Sequence, residues 1–306
     1  MSFLVVGSVA FDTIETPFGK ADRVVGGSAT FISLTASYFT NDVKLIGIVG
    51  NDFPQDEVAF LKSKGVDTSG LEVHPDKKSF FWHGRYHFDL NTRDTLVTEL
   101  NAFEDFNPIV PDNFKSSKFL CVGNIAPALQ QSVIKQVTKP ELIAIDTMNF
   151  WIESAKDELI NTLKLADIII INDTEARELT GEYNLVNSAK KLLSLGPRIA
   201  VIKKGEHGAL LFTDDIVFSA PAYPLEVVYD PTGAGDTFAG GFMGWLAKTG
   251  SLEPENLRLA MIYGSTMASL CVEKFSIDAL RDLNNEKILS RFREFRQLTR
   301  FEDIEL

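Results

Sequence analysis

The run Asp230-Pro-Thr-Gly-Ala-Gly-Asp-Thr-Phe-Ala-Gly-Gly241 sets a carboxylate, Asp236, just behind a turn of small residues and at the head of an apolar, helix-patterned segment. Gly233, Ala234 and Gly235 carry little or no side chain, so successive backbone N–H groups can converge on an anion at the positive end of the helix that follows. A carboxylate there is a poor phosphate ligand, because like charges repel, but a good base for a hydroxyl that must attack phosphorus. Base plus anion cradle is the outline of phosphoryl transfer. The run lacks the Gly-Lys-Ser/Thr ending of a P-loop and the Gly-x-Gly-x-x-Gly spacing of a dinucleotide site. The plainer alternative is a tight turn at Gly233 and Gly235, with Asp236 merely favouring the first helical turn.

Such a site needs a rigid frame. Short β-branched runs at Phe3–Val9, Val43–Val49, Lys118–Val122, Leu142–Ile145, Ile168–Ile171 and Ile199–Ile202 alternate with helix-period segments near Thr30–Phe39, Gln55–Lys64, Leu129–Val137, Ile152–Leu165 and Leu185–Leu195. That alternation predicts βαβ units and a mostly parallel sheet covered on both faces. Ligands of such sheets collect at the carboxyl ends of the strands, and Gly7, Gly50, Gly123, Asp146 and Asn172 all fall just past those ends. Two stretches, about 11–25 and 71–101, break the pattern and read as strands or loops of a small β-lid. Within Phe80-Phe-Trp-His-Gly-Arg-Tyr-His-Phe88, positions 80, 82, 86 and 88 are aromatic and 83, 85 and 87 are polar or basic. The aromatic face suits either packing or the stacking of a substrate's base.

Composition narrows the partners. With 45% hydrophobic residues among 306, the chain can bury a sizeable core, and its glycines and prolines are spaced punctuation rather than low-complexity blocks. Forty-two acidic against thirty basic residues give a net charge of −12, which opposes nonspecific binding to nucleic acid or an anionic membrane. Met1–Gly7 reads as a buried strand rather than a secretory signal, and no apolar run approaches a membrane span. Cys121 and Cys271 lie in apolar runs, as core thiols of a cytoplasmic protein would, and His74, His83, His87 and His207 form no metal-binding spacing with them.

Asp230-Pro-Thr-Gly-Ala-Gly-Asp236 resembles the C-terminal signature of the ribokinase (PfkB) family of small-molecule kinases, and further stretches agree, in order, along most of the chain. Gly7-Ser-Val-Ala-Phe-Asp12 resembles its first strand and substrate-holding aspartate, Gly26-Gly27-Ser28 its diglycine hinge, and Val49-Gly50-Asn51-Asp52 its Gly-x-Asp turn. Asn172-Asp-Thr-Glu175 is similar to its Asn-x-x-Glu motif and Lys204-Gly-Glu-His-Gly-Ala-Leu210 to its Gly-x-x-Gly hairpin. The resemblance implies one α/β domain over residues 1–306, a ribokinase-like three-layer αβα fold with a mostly parallel sheet. Its β-lid closes over substrate and can clasp a second subunit into a homodimer.

The resemblance also implies ATP and Mg²⁺ as cofactors and a set of roles. Asp236 becomes the general base, and Gly233, Ala234 and Gly235 the anion hole. Asn172 and Glu175 organise Mg²⁺ and phosphate through water, although Asn172 equally suits a helix cap. Asp12 accepts from neighbouring sugar hydroxyls, as a carboxylate with two oxygens can. Gly26 and Gly27 allow close approach and hinge the lid, and Asn124 and Asn149 are candidates for the same pocket. Lys203 stands where the family often has threonine near the nucleotide phosphates. Gly205, Thr232, Gly264 and Met267 fall on the nucleotide side, with the stretch Tyr263–Met267 near the adenine. Asp230 and Thr232 match a monovalent-cation site, but Lys274 replaces a common glycine there, which leaves K⁺ an option rather than a requirement.

Free-ribose kinases of the family carry asparagines where this chain has Ala10 and Phe31, and a buried sugar hydroxyl left unpaired costs about 1–3 kcal/mol. Phe31 therefore favours a partly aromatic substrate, and the first loop and Gly-Gly-Ser resemble the adenosine-kinase branch. The expected acceptor is a nucleoside, phosphorylated on its 5′-hydroxyl. A sugar or sugar-acid kinase, using Arg23, Arg85, Arg93 and Lys78 in the lid, is the alternative. A nucleotide-binding regulator on a kinase scaffold would have lost the base or the metal motif, and Asp236, Asn172 and Glu175 are all present.

Overall fold

The computed structural model describes residues 1–300. Its strands, in chain order, are β1 (Phe3–Val6), β2 (Ala10–Thr16), β3 (Gly19–Gly26), β4 (Val43–Val49), β5 (Val66–Val73), β6 (Phe80–Tyr86), β7 (Arg93–Glu99), β8 (Phe119–Val122), β9 (Leu142–Asp146), β10 (Ile168–Asn172), β11 (Ile199–Lys203), β12 (Ala209–Phe212) and β13 (Val217–Ala220). Nine of them form one sheet in the order β13-β12-β11-β10-β9-β8-β1-β4-β5, and β3-β2-β6-β7 form a second. From β5 across to β11 the large sheet is parallel; the β11–β12 and β12–β13 pairings are antiparallel, so β12 runs against its neighbours.

The period of two along each strand decides which layer a side chain joins. Phe3 and Val5 enter one apolar cluster while Leu4 and Val6 enter the other; Ile168 and Ile170 oppose Ile169 and Ile171 in the same way. Helices Ser28–Ala36, Ala234–Thr249 and Pro254–Cys271 cover the first face. Helices Pro127–Gln136, Lys156–Leu163, Asp173–Thr180 and Leu185–Ser194 cover the second. With both faces buried, the strands need no polar alternation and read as continuous Val, Ile and Leu runs. The result is a three-layer αβα sandwich of ribokinase-like architecture.

The second sheet occupies most of the two irregular stretches, with one correction. Leu71–Val73 belong to β5, paired with Gly47–Val49 at the edge of the large sheet, so the separate strands begin at Phe80. The chain passes between the sheets at Val6–Ala10 and Gly26–Ser28, where Ser8 and Ser28 clasp each other: Ser8 N–H donates to Ser28 Oγ at 3.2 Å and Ser28 N–H to Ser8 Oγ at 3.0 Å. Gly27, at φ 92°, passes so close that a Cβ would lie 2.5 Å from the Ser8 carbonyl oxygen. The crossing is a tight backbone contact that only glycine satisfies.

The helix Ala234–Thr249, which carries Asp236, is gripped on two sides through glycines. A Cβ on Gly240 would meet the Ile32 carbonyl oxygen at 2.7 Å, one on Gly244 the Ala36 Cα at 2.9 Å, and one on Gly241 the Tyr263 carbonyl oxygen at 2.9 Å. In an exposed helix, Gly→Ala gains about 1 kcal/mol of propensity. Here the methyl would strike backbone, which cannot rotate away, and overpacking typically costs about 1–3 kcal/mol. We therefore expect Gly240→Ala to lower stability in urea titration despite its better helix propensity. A stabilised variant would mean that the helix has room to move.

Candidate active site

The carboxyl ends of β9, β10 and β11 deliver Asp146, Asn172 and Lys203 to one edge of the sheet: Asn172 and Lys203 are paired in register, and Asp146 lies opposite Ile170. Opposite them is the start of the helix Ala234–Thr249. Its N-cap, Gly233, has φ 74° and ψ 0°, a left-handed conformation, and no side chain caps the helix. The turn is backed by Phe31, whose ring fills the space a Gly233 Cβ would need. Phe31 is 1% exposed, so it is the floor of the turn and not an acceptor contact. This corrects the expectation that it reads an aromatic substrate. Its spacing after the diglycine puts it on the helix face that packs against Gly233 rather than on the face toward the lid.

Ala234 N–H is spent closing the turn onto the Pro231 carbonyl oxygen at 3.2 Å, so the anion cradle rests on the first-turn N–H groups of Gly235 and Asp236. Lys203 completes it: a Cβ on Gly235 would lie 2.8 Å from Lys203 Nζ, which is 3.5 Å from Asp146 Oδ2. Burial pushes the Asp236 carboxyl up to about 7, Asp146 and Glu175 adding to the rise and Lys203 and Arg93 opposing it. For Lys203, burial favours the neutral amine, but Asp146, Glu175 and Asp236 outweigh it and hold the ammonium above its ordinary range. A base near 7 beside a fixed cation suits proton abstraction at neutral pH.

Asn172 and Glu175 form the helix cap that the sequence also allowed. Glu175 N–H donates to Asn172 Oδ1 at 2.8 Å and Asn172 N–H to Glu175 Oε2 at 3.0 Å, a capping box at the head of Asp173–Thr180. Glu175 is 5% exposed, and burial carries its carboxyl up to about 7, with Lys203 opposing. Among the described residues, no three His, Cys, Asp or Glu side chains sit close enough to hold a metal by themselves. Buried carboxylates with oxygen lone pairs to spare have the donor chemistry a hydrated divalent cation takes.

Asp230 is 1% exposed, and its oxygens accept from the N–H groups of Thr232 and Ser276, both at 2.8 Å. Among the described residues it has no basic partner, and burial raises its pKa. A buried carboxylate so placed fits a monovalent cation on its remaining lone pairs. Lys274 does not compete, because its ammonium turns out to Asp282 at 3.3 Å. Thr232 Oγ1 donates to the Tyr86 hydroxyl at 3.2 Å, joining this loop to β6.

Asp12, on β2, is buried against Gly26, whose missing side chain makes room for the carboxylate. Burial lifts its pKa to about 8, with Asp230 and Asp236 adding to the rise. Asn124 and Asn149 do not join it. Asn124 accepts from Trp151 Nε1 at 2.9 Å and donates to Met148 Sδ, while Asn149 donates to Glu178 at 2.5 Å. Asn124 thus ties the end of β8 to the segment after β9, and Asn149 ties that segment to the helix after β10.

On the other side of the helix start, a cavity of about 530 Å³ runs from Lys203, Gly205 and Gly235 to Tyr223, Ser265 and Ser269. Gly264 and Met267 are not in its wall. Gly264 packs on Phe238, Met267 is fully buried against Gly241, and Tyr263 stacks between Trp245 and Phe292. The helix face that reaches the cavity is offset from them, at Ser265, Ala268, Ser269 and Val272. Sequence reasoning missed Tyr86 as a site residue, although its place on the aromatic face was a signal, and gave Asp146 only as a strand-end residue.

The family model for pfkB family carbohydrate kinases matches residues 4–281, and the chain belongs to that family. It is 29% identical over 267 residues to a cytidine kinase of Thermococcus kodakarensis, covering 85% of this chain and 94% of that one. It is 24% identical to a nucleoside kinase of Methanothermobacter thermautotrophicus, covering 88% and 89%. Among solved structures, the Methanocaldococcus jannaschii nucleoside kinase superposes with a TM-score of 0.78 at 19% identity, covering 96% of this chain and 99% of that one. The protein is thus a phosphotransferase acting on hydroxyl groups.

The raised pKa of Asp12 has a sign that can be checked. From the unfolded value, 3.8, to about 8, the folded protein keeps a proton that the unfolded chain has released, so this group's stabilisation is present at low pH and lost as pH rises through 8. Asp12→Asn should therefore gain stability at pH 8.5, on the order of 1–4 kcal/mol in urea titration. The gain should vanish near pH 4. An equal effect at both pH values would show that folding does not shift the Asp12 carboxyl.

Proposed function

We propose that this kinase transfers the γ-phosphoryl group of ATP to the 5′-hydroxyl of a nucleoside. The observation that carries the reading is the pairing of Asp12 with Trp82 across β2 and β6, in one register and on one face. Asp12 offers a carboxylate to the 2′- and 3′-hydroxyls of a ribose. Trp82 is half-buried, with its indole laid across Gly84, where any side chain would strike the ring. An aromatic platform beside a sugar-binding carboxylate suits a base attached to that sugar, and base–aromatic stacking is worth about 1–3 kcal/mol. The cytidine kinase and nucleoside kinase relatives, aligned over most of the chain, support the same substrate class. The lid cations suggested for a sugar acid are partly engaged already: Arg23 is paired with Asp52, and Arg85 with Glu15 at 2.7 Å.

In this reading Asp236 accepts the proton of the attacking hydroxyl. The N–H groups of Gly235 and Asp236, with Lys203 beside them, stabilise charge on the transferring phosphoryl, a kind of contact worth about 3 kcal/mol per donor. Glu175 and Asn172 would hold Mg²⁺ through its water shell, and the ion would supply positive charge against the phosphates. Asp230 and Thr232 would hold K⁺.

The test is ADP release with ATP and Mg²⁺, with and without K⁺, across cytidine, adenosine, inosine, ribose, fructose and a keto-deoxy sugar acid. We expect nucleoside turnover, abolished in Asp236→Asn with ATP binding retained. Trp82→Ala should raise the nucleoside KM about 10- to 100-fold, as the stacking energy implies. Turnover confined to free sugars would overturn the acceptor, and ATP binding without turnover on any acceptor would point to a regulator.

A further inference from the structure

The hairpin of β6 and β7 reaches further than the acceptor. Its tip, Asp89–Asn91, lies against the donor side: the Asn91 carboxamide fills the space beside Gly205, and Asp89, Leu90 and Asn91 form one wall of the 530 Å³ cavity. The tip is shaped before any ligand arrives. Asp89 Oδ1 accepts from the N–H groups of Asn91, at 3.1 Å, and Thr92, at 2.9 Å, while Oδ2 accepts from Thr92 Oγ1 at 2.8 Å. Leu90 takes φ 56°, which turns the chain over the cavity mouth. Little else holds the hairpin down, since every residue of β7 is exposed. Among its contacts with the body are the Tyr86 hydrogen bond with Thr232, the approach of Asn91 to Gly205, and Arg93, whose charge acts on Asp236 and Glu175.

The same sheet carries the acceptor carboxylate, because β6 is hydrogen-bonded along β2, with Asp12 opposite Trp82. Resting on the assignment of Asp12 to the acceptor and of the cavity to a nucleotide, we infer that Asp89–Asn91 contacts the sugar–phosphate part of the donor, so that the second sheet couples occupation of the two sites. Asn91 supplies hydrogen bonds next to Lys203 and Gly205, where the phosphates must pass to reach Gly235, and Leu90 supplies apolar contact. A substrate that seats the sheet through Asp12 thereby sets the roof of the donor cavity. By linkage the donor must strengthen the acceptor by the same factor.

Isothermal titration of Mg·ADP into the full chain, with and without saturating cytidine, tests this. In the wild type, cytidine should tighten ADP by at least about fivefold, the lower end of ordinary coupling. Asn91→Ala and Leu90→Ala should each weaken ADP about 5- to 10-fold and bring the enhancement below about twofold, with cytidine affinity measured alone unchanged. Wild-type ADP affinity and enhancement in both variants would overturn the inference. So would an equal loss of cytidine affinity measured alone, which would mean a distorted sheet rather than a lost donor contact. If the wild type binds ADP but no nucleoside, the acceptor reading fails, while ADP affinity in the two variants still decides whether the tip is a donor contact. Absence of ADP binding in the wild type overturns both.

Discussion

The arrangement depends on a cluster of charge that the fold removes from water: Asp146, Glu175 and Asp236 gathered around the ammonium of Lys203. A carboxylate in such a place cannot rely on solvation, so its ionisation is set by its neighbours. Lys203 and Arg93 keep Asp236 from rising further than about 7, and that balance makes it a usable base at neutral pH. A more exposed aspartate would titrate lower and pull less strongly on a hydroxyl proton. The rest of the molecule can be understood as what holds those groups at fixed separations. Three adjacent strands end together to present Asp146, Asn172 and Lys203, and a helix locked through glycine faces points its first turn back at them.

The second constraint is the backbone crossing between the two sheets. The large sheet is rigid because both faces are buried, whereas the second sheet offers one face to the site and much of the other to solvent. The reciprocal Ser8–Ser28 hydrogen bonds and the left-handed Gly27 bring Asp12 to within the electrostatic reach of Asp230 and Asp236 without a linking helix. Asp12, Asp236 and the first turn of the helix Ala234–Thr249 therefore meet at a seam. One side of that seam is fixed and the other depends on a few polar contacts, of which Tyr86 with Thr232 is the most central.

The βαβ alternation and the run 230–241 were legible because they are local: β-branched runs, small residues and a carboxylate in series. The strand-end positions of Asp146 and Asn172 followed from the same pattern. What could not be read was which way side chains turn once helices pack. Phe31 looked available to a substrate, yet the helix Ser28–Ala36 rotates it beneath Gly233. Gly264 and Met267 lie on the right helix but on the face that grips Gly241, about half a turn from the cavity. Asn124 and Asn149 had the right chemistry, but Trp151 and Glu178 consume it. Lys274 seemed to intrude on the cation position, and Asp282 draws it outward. Each depends on a partner distant in sequence, information that no single window of residues contains.

The buried acids also explain why the site is matched to charged ligands. Asp12, Glu175 and Asp236 all titrate well above their ordinary range, so the empty site favours uptake of protons over separation of charge. A bound cation reverses that preference: it restores the ionised carboxylates without returning them to water.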